Sequence, residues 1–162
     1  MRLAYDLTES LTVSANARND YYNERRQNRI AIGSVEQPQY AEDVYEVQET
    51  NAAVEVEYEG QVTETISLRA FAGGSYRYES QNENLGSTSG GLATEGVFTL
   101  ENSVSRPSIT DYFQEQAVAG LFGDVNVGYN NIFYVGGSLR NDWASTLPDG
   151  NNSYLYPSVN TS

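Results

Sequence analysis

The chain has 162 residues and a formal net charge of −13, and it contains neither cysteine nor histidine. Disulfides, thiol chemistry, imidazole acid–base catalysis and the usual zinc ligand sets are therefore excluded. The charge argues against nucleic acid as a partner, because binding phosphates by counterion release requires a basic surface. The N-terminal sequence lacks signal-peptide features, and no apolar run is long enough for a transmembrane helix.

The first two predicted elements are β-strands, because apolar and polar residues alternate with a period of two. A tight turn at Thr8–Ser10 separates them. The apolar residues that share one face of this predicted hairpin are Leu3, Tyr5, Leu7, Leu11, Val13, Ala15 and Ala17.

A second predicted hairpin follows, with its turn near Gly60–Thr63. Its polar face carries Arg69 and three glutamates, at positions 55, 57 and 59. The apolar residues of its opposite face are Ala52, Val54, Val56, Tyr58, Ile66, Leu68, Ala70 and Ala72.

A third predicted hairpin turns at Asn130-Asn131, where a two-residue type I′ connection is favoured because asparagine tolerates positive φ. Its polar face also carries two apolar residues, Val118 and Phe122. The residues expected on its apolar face are Ala117, Ala119, Leu121, Val125, Val127, Tyr129, Phe133, Val135 and Leu139. The tail, "YLYPSVNTS", is typical of the beginning of a seventh strand.

Tight turns alternate with three long polar excursions, around residues 24–50, 79–115 and 143–155. Long structureless loops are uncommon in compact soluble domains, whereas outer-membrane barrels combine short periplasmic turns with long extracellular loops. The pattern therefore predicts an all-β, antiparallel up-and-down meander. Its six to seven strands would form an arc of a large transmembrane β-barrel with long extracellular loops.

A length estimate agrees with this interpretation. The residues from Ile132 to Asn141, tilted by about 40°, rise about 25 Å, which is the height of the apolar band of such barrels. Trp143 then lies at the upper membrane interface, and Tyr129 and Phe133 lie at the lower one, where aromatic girdles are found.

The residues that could carry chemistry have simpler interpretations. Glu55, Glu57 and Glu59 could supply the paired carboxylates of a glycosidase, but repeated glutamates are more typical of a water-facing barrel wall. Arg18, Arg69 and Arg140 project to the same polar side and could pair with them. The segment 148–153 lacks the spacing of a calcium loop. The sequence thus predicts no enzyme, no catalytic or metal-binding residue and no cofactor.

Aromatic residues in or beside the excursions are candidates for contacts with a ligand or a partner protein, because aromatic side chains are enriched in interfaces. Packing within loops and girdles is the alternative role for each of them. These candidates are Tyr40, Tyr45, Tyr76, Tyr78, Tyr112 and Phe113.

The segment "AGLFGDVNVGYNNIFYVGGSLRNDWASTLPDGNNSYLYPSV" closely resembles the hallmark stretch of SusC/RagA-type TonB-dependent outer-membrane transporters. In that family a strand and an asparagine-containing turn precede an Arg-Asn-Asp-Trp motif and a Tyr-Pro-Ser strand start. "GGLATEGVFTLENS" is similar to an extracellular segment of the same family. The family-motif positions in this chain are Arg140, Asn141, Asp142, Trp143, Ser145, Thr146, Tyr156 and Pro157.

The resemblance implies that residues 1–162 are part of a TonB-dependent receptor barrel in the cell outer membrane, without the plug domain, the TonB box and the C-terminal strands. The implied function is import of glycans or oligopeptides together with a SusD-like surface lipoprotein. The implied partners are that lipoprotein, outer-membrane lipid, the cargo, and TonB through the missing N-terminal part.

The alternative interpretation is a soluble all-β carbohydrate-binding or adhesin module. The two interpretations place the apolar faces differently: a sandwich buries them against each other, whereas a barrel exposes them to lipid. The residues that distinguish the two are Val13, Val56, Leu68, Leu121, Val127 and Val135.

Overall fold

The computed structural model describes residues 1–148 and 150–162. The described residues form one seven-stranded sheet in which the strands follow each other in chain order. Among them, no helix has the length and apolar character needed to span a bilayer. The strands are β1 Arg2–Thr8, β2 Leu11–Ile30, β3 Gln39–Thr63, β4 Ile66–Leu92, β5 Ser103–Tyr129, β6 Phe133–Ala144 and β7 Ser153–Thr161, with a 3₁₀ turn at Leu100–Asn102.

The strand registers confirm the predicted division into two faces. Directly opposed residues in an antiparallel pair lie on the same face of the sheet. Tyr5 opposes Val13 in the β1–β2 pair. Val127 opposes Val135 in the β5–β6 pair. The all-β, antiparallel meander that the sequence predicts is therefore confirmed, including the seventh strand.

Two of the three predicted tight turns are also confirmed. Residues 9 and 10 join β1 to β2. Both Asn130 and Asn131 have positive φ, at 51° and 57°. The amide of Ile132 closes this turn by donating to the carbonyl of Tyr129 at 3.1 Å.

The second turn is not where the sequence predicts it, because β3 continues through Gly60 to Thr63. The hydroxyl of Thr63 accepts hydrogen bonds from the amides of Thr65 and Ile66, at 3.3 and 3.1 Å, which closes the turn there. Gly60 instead marks a close approach. A Cβ at this position would lie 2.9 Å from the Tyr58 hydroxyl and 3.1 Å from the Ser10 hydroxyl.

Two of the three predicted long loops are largely strands, and this is the main correction to the sequence-based prediction. The third shrinks less, from 143–155 to residues 145–152. The excursion at 24–50 shrinks to residues 31–38, and the excursion at 79–115 shrinks to residues 93–102. In these two segments apolar and polar residues do not alternate, because both faces of the strands are polar. Polar contacts between neighbouring strands nevertheless hold the strands together. The segment 148–153, which was compared with a calcium loop, includes Asp149, which lies outside the described residues.

The chain divides into two compact units. The first comprises residues 1–19, 49–79 and 116–162, and the second comprises residues 20–48 and 80–115. In the described part of the first unit no apolar side chain is buried. The second unit buries Tyr40 and Leu92, which are 3% and 7% exposed, together with the polar Thr88. The first unit therefore lacks the apolar core of a water-soluble domain.

Candidate functional site

The apolar face of the first unit is open. Leu121 and Val135 are 60% and 56% exposed, and in the described residues no second sheet covers them. Of the other residues chosen to distinguish sandwich from barrel, Val56 and Val127 are exposed, and Val13 and Leu68 are half-buried. An apolar groove of about 1010 Å³ runs along this face, past Leu139 and Val159 among others. An open apolar face is typical of surfaces that contact a membrane or a partner.

Aromatic rings lie at both ends of the β5–β6 hairpin on this face. Trp143 opposes Ala119 at one end, and Phe133 opposes Tyr129 at the other. Beside Trp143, the Asn141 amide donates to the Ser153 hydroxyl at 2.9 Å. This end of the face therefore combines an aromatic ring with satisfied polar groups, the composition of an apolar–water boundary.

The opposite face carries a cluster centred on Arg140. Its guanidinium donates from Nε to the Asp142 carboxylate at 2.9 Å and lies 5.4 Å from the centre of the Phe122 ring. A second donor reaches the Ser75 hydroxyl at 3.3 Å. The Phe122 ring packs edge-on against Phe71, with 6.1 Å between ring centres. Phe122, one of the two apolar residues predicted on the polar face, thus supports an ion pair together with Phe71.

Glycines beneath the Arg140 cluster make room for it. A Cβ at Gly120 would lie 2.5 Å from an Asp142 oxygen and 2.8 Å from the Arg140 guanidinium. A Cβ at Gly73 would lie 2.6 Å from the Val54 carbonyl. Neither position accepts a side chain without movement of its neighbours, so the cluster lies directly on the backbone of the sheet.

The glutamates of β3 are part of a water-facing wall. Arg69 donates to Glu57 from two nitrogens, at 3.0 and 2.8 Å, which confirms the predicted pairing of this arginine. Arg140 pairs with Asp142 instead of with these glutamates. In the described part of the chain, no group of three or more carboxylates is arranged to hold a metal ion.

The remaining family-motif residues hold the β6–β7 connection in place. Ser145 bonds Ala117 twice: its hydroxyl accepts from the Ala117 amide at 2.8 Å, and its amide donates to the Ala117 carbonyl at 2.9 Å. Tyr156 opposes Arg140 across the β6–β7 pair, and Pro157 lies next to it in β7. Thr146 is exposed in the turn. The structure therefore brings Arg140, Asp142 and Tyr156 together and separates them from Thr146.

The six aromatic candidates do not form one group. Tyr40, Tyr45, Tyr112 and Phe113 belong to the second unit, and Tyr76 and Tyr78 belong to the first. Tyr40 is buried at 3% exposure, so its ring supports the unit from inside. Tyr45 packs edge-on against Tyr22, with ring centres 6.2 Å apart. Tyr76, Tyr112 and Phe113 present open ring surfaces, at 47%, 46% and 64% exposure.

Both faces of the second unit are polar. On one face of the β2–β3 pair, Arg25 donates to Glu42 at 2.6 Å and Asn23 donates to Glu46 at 2.8 Å. On the other face Arg26 donates to Glu24 from two nitrogens, at 2.7 and 2.8 Å. Strands with ion pairs on both sides are suited to water on both sides.

These pairs shift the ionisation of their members. The Arg26 guanidinium, with a smaller contribution from the Tyr22 hydroxyl, lowers the pKa of Glu24 to about 2. The Arg25 guanidinium likewise lowers the pKa of Glu42. Glu24 and Glu42 therefore remain charged at any pH near neutrality.

Two polar side chains that stabilise the second unit, Thr88 and Asn102, were not predicted from the sequence. The Thr88 hydroxyl accepts from the Tyr40 amide at 3.0 Å and donates to its carbonyl at 3.2 Å. The Asn102 side chain fixes the β4–β5 connection through the amide of Thr94 and the carbonyls of Thr94 and Val97. The only signal for Asn102 was its place in the "FTLENS" segment, and Thr88 gave none.

No protein-family model matches this sequence, and no curated protein matches it. Solved structures do match. The chain aligns with a structure of the RagAB peptide transporter at a TM-score of 0.88 and 21% identity, covering 95% of this chain and 18% of that one. The alignment with the "closed-closed" state of the RagAB peptide importer has a TM-score of 0.88 and 21% identity, and it covers 98% of this chain and 18% of that one. The alignment with the "open-open" state has a TM-score of 0.82 and 22% identity, and it covers 96% of this chain and 18% of that one. This likeness shows the fold, and the chain spans about a fifth of the length of the matched chains.

Proposed function

We propose that the chain is a wall segment of a TonB-dependent outer-membrane transporter of the SusC/RagA type. In this role the segment performs no bond chemistry. The first unit forms part of the barrier between lipid and the transport path, and the second unit stands in water outside the membrane. The solved neighbours are transporters, which supports a transport role over an enzymatic one.

The observation that carries this proposal is the open apolar face of the first unit. A sheet with exposed leucine and valine on one side and ion pairs on the other is stable where hydrocarbon covers the first side and water covers the second. A soluble carbohydrate-binding or adhesin module would have to bury that face, and nothing among the described residues does so.

The dimensions of β6 agree with this placement. Its 12 residues, tilted by about 40°, rise about 30 Å, close to the thickness of a bilayer hydrocarbon core. Trp143 near one end and Phe133 at the other then lie at the two interfaces.

Cargo and partners follow from the same assignment. The solved neighbours are assemblies that transport peptides, so oligopeptides are the preferred cargo and glycans are the second candidate. A SusD-like surface lipoprotein is the proposed partner outside the membrane, and TonB acts through a plug that belongs to the rest of the barrel protein. The cell outer membrane is the proposed location.

The exposed aromatics of the loop-proximal strands are the proposed contact points for cargo or lipoprotein. Tyr112 and Phe113 in the second unit and Tyr76 in the first have the open ring surfaces that such contacts require. Tyr45 and Tyr78 are half-buried, so only the edges of their rings would take part in such contacts. Tyr40 is a structural support for these contacts.

Cysteine labelling of the full-length protein in membranes tests the assignment, because residues 1–162 contain no native cysteine. Any cysteine elsewhere in the protein is first replaced by serine. Ser138 and Leu139 are adjacent in β6 and therefore lie on opposite faces at nearly the same height. We expect Leu139→Cys to resist a water-soluble maleimide. A fluorophore attached there with a membrane-permeant maleimide should be quenched by spin-labelled lipid. Ser138→Cys is the matched control and should escape lipid quenching. Equal quenching at the two positions would contradict the transporter assignment.

A further inference from the structure

The second unit contains a cavity of about 300 Å³ that is lined by all four strands running through the unit. Every lining residue belongs to residues 20–48 or 80–115, so the cavity lies within this unit. Its volume is at the lower end of the range of about 300–1,000 Å³ for ligand sites, which suits one end or one side chain of a larger ligand. The lining residues that bear on the ligand are Arg26, Ala41, Asp43, Ser87, Ser108 and Thr110.

Asp43 contributes a carboxylate that its neighbours leave poorly compensated. Its Oδ1 is buried and has no hydrogen-bond partner among the described residues. Its Oδ2 lies 4.0 Å from Nη1 of Arg26, at the outer limit of an ion pair. A carboxylate that is largely removed from water and lacks a donor is costly, so Asp43 is suited to a ligand that brings a positive charge.

Arg26 does not neutralise Asp43, because its guanidinium is engaged by Glu24. It donates to Glu24 from two nitrogens, at 2.7 and 2.8 Å. The charge around the cavity is also negative, since the second unit has eleven acidic residues and four arginines, a formal charge of −7. The electrostatic potential at the cavity therefore favours a cation over a neutral or anionic group.

Hydroxyl groups from two strands complete the polar lining. Ser87 lies in β4, and Ser108 and Thr110 lie in β5. A hydroxyl oxygen has two acceptor lone pairs, so these residues can accept a bond from a ligand in addition to any bond they donate. One carboxylate and several hydroxyls match a primary ammonium group, which has three N–H donors. A metal ion fits less well, because in the described part of the chain no three carboxylates come together.

We propose that this cavity, called the Asp43 pocket below, binds a primary ammonium group of an oligopeptide cargo. The proposal rests on the proposed function and narrows its cargo to peptides with a free amine. The ammonium donates to Asp43 and to the hydroxyl oxygens, and its charge compensates the charge that the two carboxylate oxygens share. A sugar hydroxyl brings no charge and would leave the carboxylate uncompensated. The α-amine of a peptide and the side chain of a lysine present the same group.

An exposed aromatic ring lies next to the Asp43 pocket along β5. Tyr112 follows Thr110 by two residues in this strand, so the two side chains lie on the same face of the sheet. The tyrosine is 46% exposed. An aromatic ring at this distance is suited to contact with the peptide residue that follows the ammonium group.

Acetylation of a peptide probe tests the proposal in the full-length protein in detergent. The probe is a heptapeptide amide of alternating valine and threonine, and binding is measured at about pH 6.5, where its α-amine is charged. We expect the free amine to bind about tenfold more tightly than the N-acetylated probe, because acetylation removes the charge that Asp43 requires.

A second pair of probes distinguishes the two sources of the ammonium group. Both are N-acetylated, and the central residue is lysine in one and glutamine in the other. Tighter binding of the lysine probe would support a pocket that also accepts a side chain. Equal binding of the two, together with the preference for a free α-amine, would support a pocket for the peptide N-terminus.

The variant Asp43→Asn keeps the shape of the side chain and removes its charge. We expect its preference for the free amine to fall to within about twofold. Glu46→Gln is the matched control, because it removes the same charge from the same strand on the opposite face, and it should keep the preference of about tenfold. Ala41→Leu lies two residues before Asp43, fills the pocket without a change of charge, and should also abolish the preference. Heat-modifiability on gels checks that each variant is folded.

Three results would contradict the proposal. A preference that survives in Asp43→Asn would overturn the pocket and leave peptide transport standing. Loss of stability in ligand-free Asp43→Asn, with the preference intact, would show that another part of the barrel protein pairs with Asp43, and this too would overturn the pocket. Failure to bind any of the peptide probes, with uptake of glycans by the same protein, would overturn the peptide cargo itself.

Discussion

The two units of this chain share strands β2 to β5, and their sheet faces carry different kinds of exposed side chain. In the first unit one face carries exposed leucine, valine and aromatic residues, and the ion pairs Arg69–Glu57 and Arg140–Asp142 lie on the other face. In the second unit ion pairs lie on both faces, and the buried side chains are Tyr40, Leu92 and Thr88. Under the proposed function, this difference in side-chain chemistry corresponds to a difference in the surrounding medium.

The comparison teaches that exposure alone does not describe a residue's environment. Val125 and Phe113 occupy the same strand at odd-numbered positions, and they are 48% and 64% exposed. The proposed function places Val125 in hydrocarbon and Phe113 in water. The ion pairs of the second unit would be costly in hydrocarbon, and the apolar stripe of the first would be costly in water.

Arginine substitutions at these two positions test the comparison most strongly. Val125 lies near the middle of the β5–β6 pair, so Val125→Arg should destabilise the full-length protein in a bilayer by about 2–4 kcal/mol. Phe113→Arg should change the free energy of unfolding by no more than about 0.5 kcal/mol, because the side chain faces water. Urea titration of protein folded into lipid vesicles measures both.

The two arginine variants control for each other, since they introduce the same side chain into the same strand. Similar costs at the two positions would remove the difference in medium on which the comparison depends. A larger cost at Phe113 than at Val125 would reverse it.

A hydroxyl deletion in the second unit has the next largest expected effect. Thr88→Val leaves the buried amide of Tyr40 without its acceptor, which costs about 1–3 kcal/mol. Hydrogen exchange at that amide should accelerate accordingly, while exchange in the first unit stays unchanged. Thr88→Ser retains the hydroxyl and is the control. Exchange that accelerates equally in both units would show that the two units do not open separately.

The smallest expected effect concerns the exposed pair of Glu24 and Arg26. Because the pKa of Glu24 is lowered to about 2, its contribution to stability is fully present above the unfolded-state value of 4.5. That contribution is lost as the pH falls through about 2. In Arg26→Gln the Glu24 pKa should return toward 4.5, as measured by NMR of the carboxyl carbon. High salt should weaken the shift, since both side chains of the pair are in contact with solvent. An unchanged pKa in Arg26→Gln would assign the shift to the Tyr22 hydroxyl.

The parts of the fold that were predicted correctly depend on local rules. Alternation placed Val127 and Val135 on one face, and the tolerance of asparagine for positive φ placed the turn at Asn130-Asn131. Gly60 misled the prediction, because a glycine that admits a neighbouring tyrosine hydroxyl looks the same in sequence as a glycine in a turn. The loops at 24–50 and 79–115 were overestimated because strands with two polar faces lack an alternating signal.

Part of the candidate site was predicted from the sequence, and part was not. Arg69 and Glu57 share a face by parity alone, and their pairing was expected. The support of Arg140 by Phe122 and the burial of Tyr40 were not, because both depend on which residue of a neighbouring strand arrives opposite. Register is a property of paired strands, and no single strand contains it.

The sequence by itself determined the antiparallel meander, the faces of the first unit and its apolar stripe, because side chains on a strand alternate whatever its neighbours are. Tertiary structure alone decided which charges meet and how far the strands extend beyond the apolar stripe. These features depend on the relative lengths and registers of neighbouring strands, which are fixed only when the sheet forms.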